Sequence, residues 1–259
     1  MNLDLIPILA PLWNALWWLL PLAILAGLLR SPWIKGAIGE ALVRLAIRWR
    51  LDRRTYRALH DLTLPTPDGT TQIDHVLVSP YGLFVIETKN LRGWIFGGER
   101  QAQWTQKLYR HTTKFQNPLR QNYKHVKALA AALEVPEAMI HSVVVFVGAS
   151  TFKTPMPANV TEGGGVVRYI RSFREPVLSA DAVEAIAQRL AEQRLAPTRA
   201  THRAHVAHLK TRADPQAERR CPTCASPLVL RTVKTGPRSG ERFWGCSTYP
   251  KCRFTQPLG

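Results

Sequence analysis

The chain has 259 residues, 46% of them hydrophobic and 20% charged, which excludes a low-complexity polymer and leaves room for one sizeable domain with smaller additions. Its 35 Lys and Arg stand against 18 Asp and Glu, and the net charge of +17 suits a polyanionic partner, either nucleic acid or an anionic membrane surface. All four Cys lie beyond residue 220, so no disulfide staples the main domain and a reducing compartment is expected.

Leu5–Leu29 holds no charged residue, and Asn14 is its only strongly polar side chain. As a helix it would reach roughly 37 Å, against a bilayer core of about 30 Å. Trp13, Trp17 and Trp18 suit an interfacial or packed aromatic face, whereas Pro7, Pro11 and Pro21 weaken the helix. A cleaved signal peptide needs a basic start, and the early charge here is Asp4. The stretch therefore predicts an uncleaved transmembrane anchor over residues 1–30. Arg30, Lys35, Arg44, Arg48, Arg50, Arg53 and Arg54 follow it, and nothing basic precedes it. The positive-inside rule then predicts a single-pass protein of the inner (cytoplasmic) membrane, N-terminus outside and everything after residue 30 in the cytoplasm.

Ile34 to about Trp49 predicts an amphipathic helix, with Ile38, Leu42, Leu45 and Trp49 as its apolar stripe. Tyr56–Leu64 predicts a first strand and Pro65–Gly69 a turn. Ile73–Val78 and Leu83–Thr88 are short apolar runs rich in β-branched residues, separated by Ser79-Pro80-Tyr81-Gly82, and predict a hairpin buried on both faces. Gly93–Gly97 and Ala102–Leu108 are expected to continue the sheet. Asn117-Pro118 opens a helix to about Leu133, His141–Val147 is a strand, and Ser179 caps a helix to about Leu195. Residues 196–218, with His202, His205 and His208 but no apolar stripe, predict a basic linker. This order of elements predicts an α/β or α+β domain over 31–195.

Phosphodiester hydrolysis needs a divalent cation, a positioned water and compensation of charge at phosphorus. Hard cations prefer carboxylate oxygens, so two carboxylates and a Lys form a minimal site. Asp74, Glu87 and Lys89 offer that set. Glu87 and Lys89 are two apart on a strand and share a face. With a two- or four-residue hairpin loop Asp74 sits opposite Glu87; with a bulge at Gly82 His75 does, and two apolar faces leave both registers open. A carboxylate beside an apolar run is costly unless paired or metal-bound. The alternative is that both lie solvated at strand ends, with Lys89 as an ion-pair partner.

Beyond these three, residues 34 to about 147 resemble the nuclease-related domain (NERD) family. The resemblance rests on Gly36-Ala37-Ile38-Gly39-Glu40, Ile73-Asp74-His75-Val76-Leu77-Val78, Tyr81-Gly82-Leu83-Phe84-Val85-Ile86-Glu87-Thr88-Lys89-Asn90, Gly93, Trp104 and Asn117-Pro118-Leu119-Arg120-Gln121. It implies a restriction-endonuclease-like PD-(D/E)xK fold, a mixed sheet flanked by helices. It further implies Asp74 and Glu87 as ligands of Mg²⁺ or Mn²⁺ and Lys89 as the group that orients water or stabilises the pentacovalent charge. Glu40 would be an accessory carboxylate and Gln121 the glutamine that follows the core in exonuclease-type sites. The superfamily's Pro is replaced here by Ile73. Glu40 can also be read as a solvated helix residue and Gln121 as a helix-start hydrogen bonder, while His75, Trp94 and Trp104 are read as packing residues.

Cys221-Pro222-Thr223-Cys224 and the pair Cys246 and Cys252 have the spacing of a Zn²⁺ ribbon over 219–259. The segment resembles the C-terminal zinc finger of bacterial type IA topoisomerases, which implies binding of single-stranded DNA. Arg231, Lys234, Arg242, Phe243, Trp244, Tyr249 and Lys251 are its candidate nucleic-acid contacts, basic side chains interleaved with aromatics. The combined expectation is a membrane-anchored, metal-dependent DNA nuclease whose ribbon holds the nucleic acid. The alternatives are a non-catalytic nucleic-acid-binding scaffold at the membrane and an envelope protein whose basic face meets anionic lipid.

Overall fold

The structure, a computed structural model, describes Trp17 and residues 19–27, 31–66, 69–196, 220–235 and 239–257, with 198, 200, 201, 203, 206 and 207 between them. His202, His205 and His208 lie outside the described residues, as does most of Leu5–Leu29. Residues 19–27 are helical. Among the described residues no helix is long and apolar enough to cross a membrane. This overturns the transmembrane part of the expected fold class and, with it, the inner-membrane localisation. What stands is a mixed α/β architecture with a C-terminal cysteine cluster. The described residues fall into two units, one within 1–64 and 71–195, the other within 65–70 and 196–259.

In the first unit, helix α1 (Pro32–Arg50) starts where Ser31 accepts a hydrogen bond from the Ile34 N–H and Pro32 takes the first turn. It buries Gly39, Val43 and Ile47 and leaves Ile38, Leu42, Leu45 and Trp49 exposed, the reverse of the expected stripe. The cause is a close approach. A Cβ at Gly39 would stand 2.9 Å from Asn90 Cβ and 3.0 Å from Val147 Cγ2, so the missing side chain selects the face that packs.

Strands β1 (Arg57–Thr66), β2 (Gly69–Ser79), β3 (Gly82–Lys89), β4 (Gly93–Phe96), β5 (Gln103–Leu108) and β6 (His111–Gln116) follow, then helix α2 (Pro118–Leu133). After it come β7 (Ile140–Phe146), β8 (Ser150–Phe152), β9 (Val160–Glu162), α3 (Gly165–Ser172) and α4 (Ala180–Gln193). The main sheet runs β1-β2-β3-β7-β9, with β3 antiparallel to β2 and parallel to β7. The strands expected to extend it instead form a second sheet, β6-β5-β4-β8. The break falls where the chain leaves β3 and β7. A Cβ at Gly148 would stand 1.9 Å from the Leu91 carbonyl oxygen, a crossing only glycine permits.

β3 alternates between two cores. Leu83 and Val85 pack with Leu129 and Leu133 of α2 and Val183 and Leu190 of α4. Phe84 and Ile86 pack with Val43 and Ile47 of α1 and with α3. A strand covered on both faces reads as a continuous apolar run. The β2–β3 ladder pairs Ser79 with Gly82 and His75 with Ile86, so the loop has two residues, Pro80 and Tyr81, and no bulge.

Two buried polar residues tie this frame together. Asn122 of α2 donates through Nδ2 to the Val85 carbonyl at 2.8 Å, Ser142 Oγ at 2.9 Å and the Val143 carbonyl at 3.1 Å. Asn122→Ala is expected to cost about 2–3 kcal/mol, because sheet acceptors lose their donor; urea denaturation checks it. His75 is fully buried, its Nδ1 2.9 Å from His60 Nδ1. Burial, then His60 and Arg44, pull its pKa down from 6.5 to about 3. The folded state therefore resists protonation. This stabilisation is complete above pH 6.5 and is lost as pH falls towards 3, at about 1.4 kcal/mol per pH unit. His75→Phe should flatten that slope in denaturation curves between pH 6 and 4.

Candidate active site and cysteine cluster

The hairpin register and the pleat bring Asp74, Glu87 and Lys89 to the α2 side of the main sheet. Glu87 is buried, 3% exposed, and its Oε1 accepts from Lys89 Nζ at 2.6 Å. Lys89 Nζ also donates to Gln121 Oε1 at 2.9 Å. Asp74 Oδ2 accepts the Thr88 backbone N–H at 2.8 Å, tying β2 to β3 just beyond the last ladder pair. His125, one turn after Gln121 on α2, places Nε2 3.3 Å from Glu87 Oε2. Its Nδ1 lies 2.9 Å from Thr71 Oγ1. With Thr71 donating to Nδ1, Nε2–H faces the carboxylate. Neither His125 nor Thr71 was among the expected site residues. The available signal was the four-residue spacing from Gln121, which puts both side chains on one helix face.

The electrostatics are strained in one place. Burial, reinforced by the Glu87 and Glu40 charges, pushes the Asp74 carboxyl well above the ordinary carboxylate range, against the Thr88 N–H. Burial alone would raise Glu87 too, but His125 and Lys89 outweigh it and hold Glu87 below its ordinary value. Glu40 is half-buried, and burial and the neighbouring Asp61 push its carboxyl up. Asp61 is paired with Arg44 at 2.7 Å. Glu40 thus reaches the site through its field. Among the described residues only the four Cys form a set of three or more ligating groups all within 4.8 Å.

The donor chemistry suits a hard divalent cation. Glu87 Oε2 is buried with no well-aligned hydrogen bond, and the half-buried Asp74 carboxylate stands beside it at a charge cost that a cation would relieve. Of the tryptophans expected to pack, Trp104 is fully buried against Phe146, whereas Trp94 is 48% exposed and is not a core residue.

The second unit holds β10 (Leu228–Thr232), β11 (Arg242–Cys246) and β12 (Thr255–Pro257) in one antiparallel sheet. Sγ atoms of Cys221 and Cys252 are 3.6 Å apart, those of Cys224 and Cys246 3.4 Å. Four thiolates at ~2.3 Å from a tetrahedral zinc would stand ~3.8 Å apart, so the cluster supports a structural zinc site. Trp244 is buried beside Cys221, Leu228 and Cys246 and serves the small core. Tyr249 is 60% exposed, with the Arg231 guanidinium 5.7 Å from its ring centroid. Arg231, Lys234, Phe243 and Tyr249 line one cavity of about 490 Å³; Arg242, Trp244 and Lys251 do not.

Comparison with known proteins agrees with both halves of this description. Residues 35–147 match the nuclease-related domain family and residues 218–259 the topoisomerase DNA binding C4 zinc finger. An uncharacterized protein of Bacillus anthracis is 48% identical over 104 residues, 40% of this chain and 49% of that protein. The DNA topoisomerase 1 of Archaeoglobus fulgidus is 51% identical over 39 residues, 15% of this chain and 5% of its own. The uncharacterized protein YrdD of Escherichia coli is 47% identical over 38 residues, 15% of this chain and 18% of its own. The chain thus spans about half of the first of these relatives and a small part of the others. No solved structure matches it. The chain is thus similar to the nuclease-related domain family over residues 35–147 and to the topoisomerase DNA binding C4 zinc finger over residues 218–259.

Proposed function

We propose that the first unit is a divalent-metal-dependent nuclease that hydrolyses phosphodiester bonds of DNA, and that the ribbon holds the nucleic acid. The observation that carries this reading is the convergence of buried Glu87 with half-buried Asp74, Lys89 and Gln121 in one polar cluster at the end of β3. Asp74 and Glu87 would hold Mg²⁺ or Mn²⁺, which supplies Lewis-acid polarisation of the phosphoryl oxygen and a more acidic water. Lys89 keeps a cation beside the reacting phosphate and orients the attacking water. Gln121 holds Lys89 Nζ, and His125 fixes the Glu87 carboxylate. Glu40 adds negative field from α1. A basic chain meeting a polyanion has no binding use for buried carboxylates, which favours hydrolysis over a purely binding role.

The full chain, incubated with single-stranded and duplex DNA and with RNA, should cleave DNA only when Mg²⁺ or Mn²⁺ is present. Salt-sensitive binding without turnover in either metal would overturn the catalytic reading and leave a binding protein.

A further inference from the structure

The second sheet has two unlike faces. Ile95, Trp104, Phe115 and Phe152 pack inward with Phe146. On the other side, cross-strand pairing aligns Trp94 with Lys107 and with Thr151, and Thr105 with Lys114. Lys153 follows Thr151 by two residues, and its N–H bonds the Ile95 carbonyl at 2.8 Å, so it stays on that face. Lys107 Nζ lies 5.8 Å from the centre of the Trp94 ring and Lys153 Nζ 4.8 Å. No carboxylate occupies this face among the described strand residues. Three lysines and an exposed indole thus share a surface with no opposing charge.

This face opens on a groove of about 800 Å³ that includes Asn90, Arg92, Trp94 and Lys107. Asn90 directly follows Lys89 and packs against Gly39 of α1, and Ile38 and Leu42 line the groove too. The groove therefore begins at the end of the strand that carries the catalytic candidates but on its α1 side, and a nucleic-acid strand lying in it reaches Glu87 and Lys89 around the strand end. We infer that the outer face of the second sheet is a platform for unpaired nucleotides of the substrate, with Trp94 stacking a base and Lys107, Lys114 and Lys153 meeting the phosphates. The inference rests on the proposed nuclease reading and names its substrate as single-stranded, or frayed, DNA. An indole standing clear of a sheet stacks only on a base whose own face is free, and flanking cations neutralise the backbone on either side. Fully paired DNA offers the lysines its phosphates but leaves Trp94 nothing to stack on.

The test uses the full zinc-loaded chain with Asp74→Asn to prevent cleavage, and labelled oligo-dT and a blunt duplex of equal length as probes. Trp94→Ala should weaken oligo-dT binding about tenfold and duplex binding less than twofold, with Trp94→Phe restoring most of the loss. Lys107→Ala with Lys153→Ala should reduce the salt slope of oligo-dT binding by about 1.4. Oligonucleotide bearing 5-iodouracil should photocrosslink to the Trp94 peptide. If the parent binds oligo-dT but the variants change neither affinity nor slope, and no crosslink reaches Trp94, the platform is wrong while the nuclease reading stands. If the parent binds neither probe, both fall.

Discussion

Asp74→Asn should lower metal-dependent cleavage by on the order of 10³-fold and at the same time make the metal-free protein more stable. The two effects share one cause. In the folded chain Asp74 is half-buried beside Glu87 and within the field of Glu40, and desolvation and those charges push its carboxyl well above the ordinary range. The folded state therefore prefers Asp74 protonated. That preference costs nothing below the unfolded value of 3.8 and becomes a growing penalty as pH rises through it. At neutral pH Asn removes the penalty, and the metal-free variant is expected to melt at a higher temperature than the metal-free natural chain. The Thr88 N–H keeps its acceptor, because Asn retains a side-chain oxygen. Mg²⁺ or Mn²⁺ should raise the melting temperature of the natural chain and leave that of the variant nearly unchanged, since only the former gains a ligand for the ion. Glu87→Gln should lower cleavage as much but without the stability gain, because it removes the negative charge that Lys89 and His125 face. Thermal melts with and without metal separate the two. Equal cleavage by the natural chain and both variants would remove these residues from the mechanism.

The hairpin that carries this site was legible because β-branched runs flank Ser79-Pro80-Tyr81-Gly82, a strong turn. Its register was not, since a strand apolar on both faces gives no sign of which side is in. The structure sets it through Gly82, where a Cβ would stand 2.8 Å from the Met139 carbonyl oxygen and from His141 Nε2. That contact lies 57 residues away in the chain, beyond the reach of local pattern. The face of α1 was misread for a related reason. Hydrophobic spacing marked Ile38, Leu42, Leu45 and Trp49, but the approach of Asn90 and Val147 to Gly39 outranks an apolar stripe. Gln121 was read from resemblance, and its helical neighbour His125 was overlooked because a lone His on a helix carries little signal by itself. At the N-terminus, the count of apolar residues in Leu5–Leu29 predicted a span. Among the described residues no helix is long and apolar enough to cross a membrane, and apolar count alone does not report where a helix begins and ends.

Cys246→Ser should unfold the ribbon and leave the first unit intact. Among the described residues the second unit's buried apolar set is Cys221, Leu228, Trp244 and Cys246, with Leu230, Cys252 and Phe254 packed around it. A chain this short buries too little apolar surface to offset its conformational entropy unaided. Two of the four buried members are themselves thiols, so removing zinc also leaves ligating groups inside the core. Structural zinc typically supplies about 10–16 kcal/mol of apparent binding energy, which here becomes folding energy. Replacing one thiolate should therefore convert residues 220–257 from protease-resistant to protease-sensitive, while the melting transition of residues 31–196 stays within a degree or so of its original position. Oligonucleotide affinity should fall more than tenfold, because the cavity formed by Arg231, Phe243 and Tyr249 exists only while β10 and β11 stay paired. Limited proteolysis read by mass spectrometry, beside anisotropy with oligo-dT, distinguishes this from a purely chemical role for the thiols. A ribbon that keeps its protease resistance after Cys246→Ser, or after exhaustive chelation, would show that the apolar set holds it and that zinc does not.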